Sequence, residues 1–288
     1  MASQVEIETG RDDPRSIVAQ VSAACQTVST TSAGNTMVWR IWGQGEPVVL
    51  LHGGYGSWTH WIRNVEYFAQ FHQVLVPDMP GYGDSPLPQG VHSMHDYAGL
   101  ISAGLEDLLP QGQAYHLVGF SFGSGVATHL LQFDHRRIKR LVIVATSALG
   151  PRAVVSEHMR RWRGLAAEEE RLAAHRHNLG VLMIHKTESI DPLAVYLQSR
   201  NAERARLRSK TIPPRGDRKQ LLTMHPRPLA GIWGAEDAMS RDYLAERQAA
   251  LMEIDPDCAF AIIPGAGHWV PYEAADEFNA ALRSILLR

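Results

Sequence analysis

Three residues far apart in the chain, Ser121, Asp237 and His268, have the types and local settings that nucleophilic acyl chemistry needs. A serine hydroxyl is a poor nucleophile until a base takes its proton and a carboxylate orients that base. Ser121 sits in Gly119-Phe120-Ser121-Phe122-Gly123, after the apolar run Tyr115–Val118 and before the small-residue stretch Gly125–Leu131. A serine with glycines two residues to either side, at a strand-to-helix junction, is the nucleophile-elbow pattern. The turn must push the hydroxyl out of the sheet, and side chains at 119 and 123 would clash where strand and helix meet. Gly125 is expected to let the helix approach neighbouring strands.

Fourteen histidines compete for the role of base, and position selects His268. It lies in Gly265-Ala266-Gly267-His268-Trp269, a loop between the last expected strand and the last expected helix. Loops beyond the carboxyl ends of parallel strands are where sites form. The stretch Gly231–Asp237 ends the preceding strand in a turn and offers Asp237 as the acid, with Glu236 as its competitor. Either carboxylate could instead serve a helix N-terminus. Acyl chemistry also needs donors aimed at a developing oxyanion. The Phe122 N–H, directly after the nucleophile, is one candidate. The Gly54 N–H, in His52-Gly53-Gly54-Tyr55-Gly56 after a Val-Val-Leu-Leu strand, is the other.

The elements that would position these residues alternate along the chain. Strands are expected near Gln26–Ser32, Met37–Trp42, Val48–Leu51, Gln73–Val76, Tyr115–Gly119, Arg140–Ala145, Leu229–Trp233 and Ala259–Ile263, the first two joined as an antiparallel pair through Ala33-Gly34-Asn35. Helices are expected over Trp58–Phe71, Met94–Leu109, Ser121–Phe133, Arg241–Ile254 and Tyr272–Leu287. Such alternation predicts a mainly parallel sheet covered on both faces. The rhythm breaks between Leu149 and Arg215, where Arg160–Ala174 and Pro192–Arg208 read as helices of an insertion. The expected division is a polar extension over 1–25, a core over 26–148 and 216–288, and a helical cap over 149–215.

Composition narrows the class. Of 288 residues 45% are hydrophobic, enough for a large buried core, and the net charge of −2 argues against a general nucleic-acid binder. The cap segment carries a net +6 against −8 for the rest, with Arg204, Arg206 and Arg208 read as a solvated helix face. Cys25 and Cys258 are far apart and without metal-ligand spacing, which suits a reducing compartment. Met1–Arg15 has no apolar signal core, and no window approaches a membrane span. A cytoplasmic protein acting on a small molecule, without nucleic acid or membrane and with homodimerisation left open, is the expectation. His92/His95 and His175/His177 lack accompanying cysteines or carboxylates, so neither a metal nor another cofactor is expected.

Five motifs in order carry a family resemblance: HGG at 52–54, DMPGYGDS at 78–85, GFSFG at 119–123, WGAED at 233–237 and GAGHW at 265–269. Together they resemble the α/β-hydrolases of lid-bearing type, whose triad runs nucleophile, acid, base as Ser121, Asp237, His268 do here. The resemblance implies an α/β fold with a mostly parallel eight-stranded sheet flanked by helices and a helical lid inserted after the sixth strand. It makes DMPGYGDS structural. Serine at the elbow disfavours haloalkane dehalogenases and epoxide hydrolases of this fold, which use aspartate there.

Within the serine members the chain is similar to meta-cleavage-product hydrolases, which break a carbon–carbon bond in 2-hydroxy-6-oxo-dienoates. HGGYG resembles their oxyanion loop and Trp269 their pocket-lining tryptophan. Phe122 departs from their usual methionine, and the register of their carboxylate-binding lid arginine falls on Gln198, two residues before Arg200. Trp269, Tyr55 and Arg200 are the expected substrate contacts. The leading expectation is hydrolysis of an ester of a small to medium apolar acid. C–C hydrolysis of a dienoate is the alternative, and non-catalytic ligand binding on the same fold the third.

Overall fold

The computed structural model describes residues 13–146, 149–151, 153–208, 211–213 and 217–288. Ala33 and Gly34 take positive φ (47° and 75°) and fold β1 (Gln26–Ser32) back on β2 (Asn35–Trp42) as an antiparallel pair. Six further strands follow: β3 (Glu46–Leu51), β4 (His72–Asp78), β5 (Tyr115–Phe120), β6 (Ile138–Val144), β7 (Leu229–Gly234) and β8 (Ala259–Ile263). They form one eight-stranded sheet in the order β1-β2-β4-β3-β5-β6-β7-β8. β2 runs antiparallel to β4, and every pairing from β4 to β8 is parallel. Val48–Leu51, Leu117, Val118 and Leu141–Val144 are buried as unbroken apolar runs, the signature of strands covered on both faces.

Ten α-helices are found among the described residues. They are α1 (Pro14–Ala23), α2 (Val65–Phe68), α3 (Met94–Leu108), α4 (Phe122–Asp134), α5 (Glu168–Asn178), α6 (Pro192–Arg204), α7 (Arg218–Met224), α8 (Leu244–Ile254), α9 (Val270–Glu273) and α10 (Ala275–Leu286). None is long and apolar enough to cross a membrane. α1 lies within the segment expected as a polar extension. Its Val21 is buried, and the Val21 carbonyl accepts the Trp42 indole N–H at 3.0 Å.

Two expected helices are broken, each at a side chain that bonds elsewhere. Trp58–Phe71 becomes a 3₁₀ turn, Trp58–Trp61, followed by α2. Between them the Asn64 amide donates to the Pro271 carbonyl and to Asn279 Oδ1, at 2.9 and 2.8 Å, which pins that turn to the C-terminal segment. The expected helix from Tyr272 onward is divided at Ala274. The Glu273 carboxylate there accepts the backbone N–H groups of Gly267, His185 and Lys186.

The segment between β6 and β7 carries α5, α6 and α7, and the expected borders at 148 and 215–216 lie outside the described residues. α5 sits later than the expected Arg160–Ala174 and runs into a π-helical turn over Leu179–Met183. α6 is tied to the core along its length. Asp191 bonds Arg63 (2.6 Å) and the Tyr272 hydroxyl (2.6 Å), and Asn201 accepts from the Ser57 hydroxyl (2.8 Å). Arg204 pairs with Asp84, which also binds Arg40. The Arg206 guanidinium donates to the carbonyls of Gly83 and Ser85. Arg204 and Arg206 therefore fasten α6 to the 78–85 loop, correcting their reading as a merely solvated face.

Candidate active site

Four parallel strands end on one side of the sheet, and the loops after β3, β5, β7 and β8 carry the expected site residues. At the end of β5, Ser121 adopts φ 52° and ψ −110°, a strained backbone that projects its side chain from the turn. Both flanking glycines are required. A Cβ on Gly119 would lie 2.5 Å from the Gly123 carbonyl oxygen, and one on Gly123 would overlap the Leu51 carbonyl at the end of β3. Gly125 is different: the group that fills its missing side chain is the Arg218 guanidinium of α7, not a neighbouring strand.

Ser121 Oγ lies 3.0 Å from His268 Nε2, and His268 Nδ1 lies 2.9 Å from Asp237 Oδ2. Asp237 and His268 are buried, and Asp237 Oδ1 accepts the Met239 N–H at 2.9 Å, so both carboxylate oxygens are engaged. The acid and base loops are joined to each other. Ala235 N–H donates to Ile263 O and Glu236 N–H to Ala266 O, both at 2.9 Å. Glu236, the competing acid, faces instead a crevice shared with His185, Arg241 and Gly267. The structure thus brings together Ser121, His268 and Asp237.

The expected oxyanion donors lie on the loops that follow β5 and β3. Phe122 is the first residue of α4, so its N–H has no partner within the helix. Its ring packs on Tyr82 and Tyr97, at centroid distances of 6.1 and 5.7 Å. Gly54 follows β3, whose end touches the elbow at Gly123. Around it the loop is held by two buried histidines. The Gly53 N–H donates to His60 Nδ1 at 3.2 Å, so that nitrogen is unprotonated and the proton is on Nε2. His52 Nε2 accepts the Met79 N–H at 3.0 Å, which leaves His52 Nδ1–H to donate to the Gly53 carbonyl at 2.7 Å.

His60 was not singled out by sequence. The one legible signal is Gly56, whose bare Cα makes room for the His60 ring.

Burial pushes His52 down to about 4 and His60 well below its ordinary value, the latter helped by the neighbouring His52 and His268. In the unfolded chain such groups titrate near 6.5, so between pH 6.5 and 4 the unfolded state binds more protons. Stability should be complete above pH 6.5 and fall as pH drops toward 4, by about 3 kcal/mol for His52 alone. Denaturant midpoints at pH 7.5 and 4.5 check this; equal midpoints would contradict it.

The expected substrate contacts are placed unevenly. Tyr55 takes a positive φ of 57° at the turn of the glycine-rich loop and is partly exposed. Trp269 is fully buried, stacked on Tyr272 at 4.3 Å, with its indole N–H on the His60 carbonyl at 2.9 Å. Arg200 is not brought to the triad. Its half-exposed guanidinium faces Glu203 at 3.7 Å. The two grooves it lines are bounded by α1, α5 and α6 and by the Arg40–Asp84 network, and neither includes Ser121, Asp237 or His268. Sequence register alone could not tell which side of α6 meets the core.

Residues 48–281 match the alpha/beta hydrolase family, and the chain belongs to it. The chain is 29% identical over 258 residues to a 2-hydroxy-6-oxo-6-phenylhexa-2,4-dienoate hydrolase of Burkholderia cepacia, covering 82% of this chain and 86% of that one. Among solved structures it resembles a thermophilic esterase of Thermogutta terrifontis, with a TM-score of 0.72, 25% identity, and 91% and 98% of the two chains covered. A meta-cleavage product hydrolase of Pseudomonas fluorescens has the same fold, with a TM-score of 0.72, 21% identity, and 90% and 97% coverage. The relatives are hydrolases, and so is this protein.

Proposed function

We propose that the protein is a cytoplasmic serine hydrolase that cleaves a carboxylic ester of a small to medium apolar acid. The observation that carries this is the continuous line from Ser121 Oγ through His268 to the buried Asp237 carboxylate. His268 Nε2 takes the Ser121 proton as Oγ attacks the carbonyl carbon, while Asp237 holds Nδ1–H and stabilises the imidazolium. The N–H groups of Gly54 and Phe122 bind the oxyanion of the tetrahedral intermediate. Its collapse breaks the C–O bond, and His268 returns the proton to the leaving alcohol. Water, activated by the same histidine, then releases the acid and restores Ser121. The helical segment over 149–215 acts as the lid, with α6 as its anchored part, since Asp191, Asn201 and Arg204 bolt it to the core.

The relative from Burkholderia cepacia favours a second reading, C–C hydrolysis of a dienoate. That chemistry calls for a cation on the substrate carboxylate, and Arg200 points into a different groove. Turnover of p-nitrophenyl esters beside a 2-hydroxy-6-oxo-dienoate separates the two, with preference for short esters expected. Arg200→Ala should keep kcat/KM within about fivefold on either substrate, because an exposed ion pair contributes little. A dienoate preference together with a sharply raised KM in that variant would reverse both statements.

A further inference from the structure

We propose that His60 is a positioning residue for the oxyanion hole: its neutral ring, acting with His52, fixes the Gly53 backbone and so the direction of the Gly54 N–H. The inference rests on reading Gly54 as an oxyanion donor. A Gly-Gly pair has wide conformational freedom, so a donor held in one direction there needs anchors outside the loop. The peptide unit joining Gly53 to Gly54 is planar and trans, so its C=O and N–H point opposite ways. The Gly53 carbonyl accepts from His52 Nδ1–H at 2.7 Å and from Gly56 N–H at 3.2 Å, which sets that plane. On the other side of the Gly53 Cα, the Gly53 N–H is held by His60 Nδ1 at 3.2 Å. With both peptide planes tied, the two soft dihedrals of Gly53 are fixed and the Gly54 N–H is aimed.

The His60 ring is itself held. It packs against Phe120 at 5.5 Å and Trp269 at 5.0 Å, with His52 edge-on at 6.1 Å. A Cβ on Gly56 would collide with it, so the loop closes around the ring only with glycine there. The His60 carbonyl also accepts the indole N–H of Trp269, the residue after the catalytic base. One buried residue therefore joins the oxyanion loop to the base loop, and only the lone pair on Nδ1 can receive the Gly53 N–H. Protonation or loss of that acceptor frees the loop while leaving the triad's own hydrogen bonds in place.

The test places an acceptor at either ring-nitrogen position. In His60→Asn the side-chain oxygen falls near Nδ1; in His60→Gln it falls near Nε2; His60→Leu has none. The readout is the rate at which a fluorophosphonate labels Ser121, which needs no knowledge of the natural substrate, with near-UV circular dichroism as the folding control. H60L should label about 100-fold slower, as for a lost oxyanion donor, H60Q should resemble it, and H60N should keep at least ten times the rate of both. If H60L does not fold, the Asn and Gln variants decide. Equal rates in H60N and H60Q, or wild-type labelling in H60L, would overturn the positioning role. A wild-type enzyme that labels but hydrolyses no ester would defeat the ester reading alone. An enzyme that does not label at all would defeat both.

Discussion

Ser121→Ala should lower kcat by about 10⁴- to 10⁶-fold with the fold intact, the loss seen when a triad nucleophile is removed. Oγ is the atom 3.0 Å from His268 Nε2, and no other hydroxyl is described on that nitrogen. Alanine has the same Cβ and meets the same φ of 52°, so the elbow carries no additional strain. What activity persists comes from the oxyanion donors acting on a water-attacked substrate. Initial rates on the best ester of the panel, with thermal melts of both proteins, provide the check. A variant within tenfold of wild type would mean that Ser121 is not the attacking group.

Asp237→Asn should cost about 10⁴-fold in kcat near pH 7, with KM little changed. Asparagine is close to isosteric, and its oxygen can still receive the Met239 N–H. Its amide would then face His268 Nδ1 as a donor and favour the tautomer with the proton on Nε2. That nitrogen could no longer accept the serine proton. The loss should shrink as pH rises and hydroxide supplies the base. Activity above a tenth of wild type would move the acid role to another carboxylate, Glu236 being nearest in sequence.

The parts of this molecule that read directly from sequence are those set by short-range rules. Buried parallel strands need continuous apolar runs, so Val48–Leu51, Leu141–Val144 and Leu229–Trp233 announce themselves. The elbow is legible because Gly119 and Gly123 are dictated by backbone contacts at the turn. Asp237 and His268 follow from the loops that end β7 and β8. Residues whose roles depend on a distant partner are not legible. Asn64, where the expected helix is interrupted, bonds Pro271 and Asn279 far along the chain. Arg204 looks like surface charge until Asp84 is seen beneath it. Arg200 could be placed only by knowing which side of α6 meets the core, and His60 only by knowing that the glycine-rich loop folds back over its ring.

Arg247 belongs with these hidden partners. It is buried on α8, donates to the Pro151 carbonyl, and carries its charge near Asp237, which opposes the effect of burial on its guanidinium. A helical charge with polar sequence neighbours gives no hint of this.

Attack by Ser121 to form an acyl-enzyme is checked by acid-quenching the wild-type protein milliseconds after mixing with an activated p-nitrophenyl ester and mapping the adduct by mass spectrometry. The acyl mass is expected on the peptide containing Ser121, with a burst of p-nitrophenolate that approaches one equivalent of enzyme. An adduct on another residue, or burst-free turnover that survives Ser121→Ala, would contradict it.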